Sequence, residues 1–315
     1  MTAAPAAMRD AFGAALLGLA PACPDMVVLD ADVASSTRTA AFGKAYPERF
    51  FNVGVAEANM TDIAAGLATC GLRPVVSTFG LFLSLKCADQ VRNIIAYNNL
   101  PVVLAGGYAG FSDSYDGASH QAILDISIMR AMPNMTVVVP ADTVELKQAL
   151  EQALAHDGPT YLRICRNPTP VLFEGAPPLV VGRIRKIRDG RHLTIAVAGV
   201  PTFMAMEAAE RLAATGIETD LLEVSTVKPI DADALAASAR KTGRVLTVEE
   251  HTVFGGLGGA VAEAVSASCA AVIERLGIED RFGESGDYMA LLAKYGISAA
   301  AIEARARLLV ARSNP

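Results

Sequence analysis

Two consecutive α/β domains, each built on a parallel sheet, are predicted for this 315-residue chain. Two observations predict them: short β-branched runs alternate with longer helical patterns, and a stretch rich in proline and glycine interrupts that alternation once before it resumes. Before the interruption the runs lie at residues 26–29, 74–77, 101–104, 136–139 and 161–164. Most are apolar throughout, as strands covered on both faces require. Residues 167–181, with Pro168, Pro170, Gly175, Pro177 and Pro178, read as the connection, and strands resume at 192–197, 218–224 and 244–248. The expected organisation is a first domain over residues 1–168, a linker over 169–190 and a second, smaller domain over 191–315.

At the start of the chain, residues 11–22 lead into Cys23 and superficially resemble a secretory leader. The segment before them holds a single arginine, Arg9, followed at once by Asp10, which suits a first amphipathic helix better. No stretch approaches the roughly 18 to 20 apolar residues that cross a bilayer. A composition of 52% hydrophobic and 19% charged residues is ample for two cores. A net charge of −6 leaves no basic field for a phosphate backbone, so a nucleic-acid partner is not expected. Five scattered cysteines, Cys23, Cys70, Cys87, Cys165 and Cys269, lack C-x-x-C spacing and read as small core hydrophobes in a reducing, cytoplasmic compartment. No metal ligand set is expected from them.

The segment 50–60 is the most informative in the chain. A buried strand there gives way to a helix whose Met60, Ile63, Ala64 and Leu67 form an apolar stripe, and Glu57 extends that stripe backwards. Burying an ionised carboxylate is costly unless something pairs with it, so this glutamate asks for a partner. A helix-start carboxylate that satisfies orphan N–H groups is the alternative, and position alone does not choose between them.

Four further segments follow strands, and in open α/β sheets ligands collect at the carboxyl ends of strands. Phe79 and Phe82 are spaced to meet on one helical face, either as core or as a pocket wall. The loop from Gly106 to Gln121 carries Asp113, Asp116, Ser119 and His120, more chemistry than a connector needs. Arg163 and Arg166 offer guanidinium forks suited to a phosphate or carboxylate, or to a surface salt bridge. Ser35, Ser36 and Arg38 follow the first strand, where a helix cap explains a serine equally well. In the second domain, Gly255, Gly256, Gly258 and Gly259 are too sparse a signature for nucleotide binding and point to tight packing or subunit contact.

Taken together, residues 51–60, Ser77-Thr78-Phe79 with Phe82, Asp116-Gly117-Ala118-Ser119-His120-Gln121 and residues 129–135 resemble the transketolase family. More narrowly, the chain is similar to the C-terminal subunit of split transketolases. Glu249-Glu250-His251 followed by the glycines at 255–259 extends the resemblance into that family's last domain. The resemblance implies a pyrimidine-binding domain of thiamine-diphosphate enzymes followed by a transketolase C-terminal-like domain. It implies that Glu57 hydrogen-bonds N1′ of the cofactor aminopyrimidine and promotes its imino tautomer, with Phe79 and Phe82 packing around the ring. It implies that Asp116 and His120 contact sugar hydroxyls and the substrate phosphate, His120 with a catalytic role, and that Arg166 and Ser36 lie at the phosphate end of the channel.

Two departures qualify what the resemblance implies. Tyr108 stands where many transketolases carry a histidine, so donor contacts differ. Nowhere is there the Gly-Asp-Gly segment, followed downstream by paired asparagines, with which the family holds Mg2+ and diphosphate. A separate N-terminal transketolase subunit is therefore expected to hold thiamine diphosphate and Mg2+, in a heterotetramer that also joins copies of this chain. The expected activity is transfer of a two-carbon ketol unit between phosphorylated sugars. Its alternatives are a deoxyxylulose-phosphate-synthase-like subunit, a 2-oxoacid dehydrogenase β-like subunit or a non-catalytic regulatory subunit. The Asp116 to Gln121 segment favours transketolase or deoxyxylulose-phosphate synthase over the dehydrogenase.

Overall fold

The apolar runs form the centres of two sheets in a computed structural model that describes residues 4–312. In chain order the strands are β1 (Ala6–Ala7), β2 (Met26–Asp30), β3 (Phe50–Asn52), β4 (Arg73–Phe79), β5 (Val103–Gly107), β6 (Thr136–Val138), β7 (Thr160–Arg163) and β8 (Pro168–Thr169). They continue as β9 (Arg185–Arg188), β10 (Leu193–Val197), β11 (Thr219–Glu223), β12 (Thr226–Lys228), β13 (Arg244–Thr252) and β14 (Val272–Ile278). The larger sheet runs β12-β6-β7-β5-β4-β2-β3 and the smaller β14-β13-β10-β11-β9. All pairings in each are parallel except the edges β12 and β9, which run antiparallel. β1 and β8 form a separate antiparallel pair.

Strand order places the site. From β2 the chain crosses to β3 on one side, then returns to β4 on the other, so the carboxyl ends of β2 and β4 open on a switch of winding direction. Asp30, Asn52 and Phe79 end the three strands there. The run entering the Glu57 helix departs from the buried strand expected of it: β3 is the sheet's outer edge, with Phe51 and Asn52 exposed. A three-residue edge strand is held by backbone pairing to β2 and buries little side chain.

Helices pack on the sheets through the faces their sequences set. Met8–Leu19 buries Met8, Phe12, Ala15 and Leu16, in keeping with an amphipathic first helix. Glu57–Thr69 buries Glu57, Met60, Thr61, Ala64, Ala65 and Ala68, leaving the expected Ile63 and Leu67 only half-buried at the flank. Of the cysteines, all free, Cys87 and Cys165 are buried and Cys23 and Cys269 half-buried. Cys70 is exposed, against the expectation of a core hydrophobe, because it caps the helix end.

The two units are joined more closely than a linker suggests. β12 lies beyond β11 in sequence, yet completes the edge of the first sheet against β6, and Val139 N–H donates to Ser225 O at 2.7 Å. Apolar residues of both units, Phe12 and Leu162 with Ile195 and Val248, fall in one continuous core. Between the sheets Arg163 is buried: its Nε donates to Asp125 Oδ2 at 2.8 Å, and its Nη2 donates to the carbonyls of Ala122 and Glu250. Tyr161 Oη donates to the same Asp125 oxygen at 2.7 Å. Burial works against the charge on Arg163, but the Asp125 and Glu250 carboxylates outweigh it and raise its pKa.

Glu250, in the second unit, reaches back across this junction. Its Oε1 accepts the Phe111 N–H at 2.7 Å and its Oε2 accepts Tyr288 Oη at 2.9 Å. Burial pushes its pKa up to about 7 despite Arg163 and those donors. Beside it, Glu249 accepts the N–H groups of Leu257 and Gly258 at the start of the helix Leu257–Ser266. A Cβ at Gly256 would stand 2.1 Å from Glu249 Oε2, so close packing requires glycine there.

Candidate active site

The carboxylate of Glu57 arrives by a defined route. β3 ends at Asn52, whose Oδ1 accepts the N–H groups of Asp32 and Gly54 at 3.1 and 3.0 Å, and Gly54 turns the chain with φ +75°. The helix then starts at Glu57 itself, which is 6% exposed. Among the described residues its carboxylate has one side-chain donor: Lys86 Nζ stands 3.1 Å from Oε1. Lys86 is the cap residue after the short helix Gly80–Leu85 and is half exposed.

From Lys86 a row of stacked groups runs across the switch point. The ammonium lies over the Phe82 ring, 4.1 Å from its centroid. Phe82 stacks on Phe79 at 5.7 Å, and His120 meets both edge-on, at 5.2 Å from Phe82 and 6.2 Å from Phe79. Phe79 in turn stacks on Tyr108 at 4.3 Å. This apolar shelf with polar ends suits a flat heteroaromatic ring. His120 is half-buried, and its Nδ1 lies 2.9 Å from Ser119 Oγ.

Tyr108 begins the loop in a left-handed conformation, φ 58°, which costs a bulky residue roughly 1–3 kcal/mol. Its contacts hold it there. Arg9 Nη1 donates to Tyr108 Oη at 2.7 Å, and the phenol hydrogen points at Ser36 O, 3.4 Å away. The Arg166 guanidinium lies 4.9 Å from the ring centroid. Ser36 sits in the turn Ala34–Thr37, which Asp30 organises by accepting from Val33 N, Thr37 Oγ1 and Thr39 Oγ1.

The far end of the row is charged. Arg166 Nη1 lies 3.4 Å from Asp113 Oδ1, and its backbone N–H donates to Ser112 Oγ. Asp113 is fully buried and, among the described residues, no donor reaches its Oδ2. Burial, together with the neighbouring Asp116 carboxyl, pushes the Asp113 pKa up to about 7, against the pull of Arg166. A raised carboxyl pKa stabilises the fold below the ordinary value of 3.8, and that contribution is lost as pH rises through 7. Asp113→Asn is therefore expected to melt a few degrees above the native chain at pH well above 7, with the gap closing on acidification toward 3.8. A melting-temperature series against pH checks it; a gap that widens on acidification overturns it.

Of the residues singled out from sequence, Glu57, Phe79, Phe82, His120, Ser36 and Arg166 fall along this one row, and Asp116 joins it through Asp113. Arg163 does not: it is spent on Asp125 and the carbonyls between the sheets. Sequence reasoning passed over Lys86 and the part played by Arg9. The lysine follows a helix too short to show a period, and the arginine lies in the first helix, far in sequence from the loop whose Tyr108 it contacts. Among the described residues no group of three or more His, Cys, Asp or Glu side chains is arranged to hold a metal ion, and no helix is long and apolar enough to cross a membrane.

Comparison with known proteins follows the two units. Residues 4–171 match the family model of the transketolase pyrimidine-binding domain, and residues 182–302 that of the transketolase C-terminal domain. The chain is 40% identical to a putative transketolase C-terminal section of Methanocaldococcus jannaschii, over 95% of this chain and 94% of that one. It is 39% identical to a 6-deoxy-6-sulfo-D-fructose transketolase subunit of a Clostridium strain, over 98% and 95%. A solved structure described as a split-gene transketolase, inactive β4 tetramer, is similar at 43% identity with a TM-score of 0.90, over 96% of this chain and 98% of that one.

Proposed function

The chain belongs to the transketolase family, and from that premise we propose that it is the C-terminal subunit of a two-chain, thiamine-diphosphate-dependent transketolase. In this reading residues 1–168 are the pyrimidine-binding unit, 169–190 the linker and 191–315 the C-terminal unit. The enzyme works in the cytoplasm and moves a two-carbon ketol group between phosphorylated sugars. The carrying observation is the Glu57 carboxylate, buried at a helix start and linked through Lys86 to the stacked Phe79 and Phe82. A carboxylate and an aromatic shelf fit an aminopyrimidine ring, and in this reading a partner holds Mg2+ and diphosphate, in keeping with the absence of a Gly-Asp-Gly segment from this sequence.

When bound, thiamine diphosphate supplies the carbanion-stabilising chemistry. Glu57 would hold a proton at N1′ of the ring, and Phe79 and Phe82 would pack against the ring and exclude water. His120 and Asp116 bind sugar hydroxyls, and His120 moves a proton at the reacting hydroxyl. Arg166 and Ser36, with Arg9 beside them, hold the anionic tail of the sugar. Exposed apolar Val55 and Leu85, close in sequence to Glu57 and Lys86, suit burial by the partner chain. The inactive β4 tetramer of the split-gene relative supports both self-association and the need for that partner.

Reconstitution tests the reading. The chain alone is expected to consume no ketose phosphate, and the chain mixed with an N-terminal subunit carrying the Gly-Asp-Gly segment is expected to consume ketose phosphate but not pyruvate. Pyruvate consumption would instead mark a deoxyxylulose-phosphate-synthase-like or 2-oxoacid dehydrogenase-like subunit. Silence with every partner would leave a regulatory subunit.

A further inference from the structure

We propose that Asp113 is a specificity-determining positioning residue, a built-in counter-ion to Arg166 that tunes the site toward substrate tails carrying one negative charge rather than two. This rests on the transketolase reading and narrows its substrate class. The two guanidiniums at this end of the site, Arg9 and Arg166, both contact Tyr108, one through its hydroxyl and both against its ring. They are not equally available. Arg9 makes no ion pair among the described residues, whereas Arg166, a third exposed, has a carboxylate behind it.

That carboxylate is fixed. Asp113 has no exposed surface, and its loop is tied down where Ser112 Oγ donates to Ala109 O at 2.6 Å and accepts the Arg166 N–H at 3.2 Å. Asp113 therefore cannot swing away when an anion approaches Arg166. Among the described residues no donor reaches its second oxygen, so once ionised its charge is not spread over further donors. Asp116, exposed on the same loop, adds a second negative charge beside it. An incoming anion thus meets Arg166 with much of its field cancelled, and the repulsion from Asp113 doubles when the ligand charge doubles. A sulfonate, or a phosphate ester holding one proton, loses least.

The test uses the full chain and two simple probes, inorganic phosphate and methanesulfonate, at a pH well above 7 so that Asp113 is ionised and phosphate is mostly dianionic. Asp113→Asn keeps the shape and removes the charge; Asp113→Ser is the second variant should the first fail to fold, with melting curves on both. Removing one charge is expected to tighten methanesulfonate about threefold and phosphate, with twice the charge, about tenfold. In the reconstituted enzyme KM for a ketose phosphate should fall by about the same tenfold while kcat stays put. A merely structural role would shift both probes equally or move kcat. Unchanged affinities, or equal changes for the two anions, overturn the proposal. If the anion affinities shift as expected but no sugar phosphate is turned over, the counter-ion stands and the transketolase reading falls.

Discussion

Glu57→Gln in the reconstituted two-chain enzyme is expected to lower kcat by about a thousandfold, with assembly intact. The amide matches the carboxylate in shape and keeps an oxygen toward Lys86, so the helix Glu57–Thr69 and the Phe79–Phe82 shelf should hold. What it cannot do is share a proton with a ring nitrogen as an acid of variable charge. Stability should change little, because Lys86 is half exposed and water can take the place of the lost ion pair. Steady-state kcat and size-exclusion chromatography with the partner chain check the two halves separately. Full activity in the variant would sink the assignment of Glu57, and loss of assembly would show the residue to be structural.

Arg163→Ala is expected to be the most destabilising single change considered, at about 3–5 kcal/mol. The guanidinium is 6% exposed and Asp125 is fully buried, so truncation leaves a carboxylate with, among the described residues, only Tyr161 Oη as side-chain donor, removes the Arg163 donor from the Glu250 carbonyl, and leaves the Ala122 carbonyl with the Gly110 N–H alone. Both sides of the junction feel it, since Ala122 belongs to the first unit and Glu250 to the second. A fall in melting temperature on the order of 10 °C follows, and calorimetry should show the transition broadening as the units begin to melt apart. Arg163→Lys should recover part of the loss by restoring charge without the fork. A melting temperature within a degree or two of the native chain would mean that the junction is held elsewhere.

These two residues mark the reach of the sequence. The central strands β2, β4, β5, β7, β10 and β13 were legible because burial on both faces writes an apolar run. The edges β9 and β12 were not, since short strands pair through backbone and carry no such mark, and β3 was legible as a strand but not as an edge. Arg163 and Arg166 were indistinguishable by type and position. Only the turn beyond β7 separates them, sending the first between the sheets and the second to the Tyr108 ring. Glu57 was recognisable because a carboxylate broke an otherwise apolar stripe, and Lys86 was not, because 29 residues separate it from the group it pairs with.

The exchanged strand β12 has a consequence for how the molecule comes apart. A protease cutting the irregular stretch between β8 and β9 severs one peptide bond, but Thr226–Lys228 remains hydrogen-bonded along β6 and Arg163 remains locked to the Glu250 carbonyl. The nicked protein should therefore travel as one particle on a sizing column and separate into two fragments only in denaturant. Expressed without β12, the first unit would present β6 as an open, apolar sheet edge, an invitation to aggregate, so the second unit shields the first from its own copies.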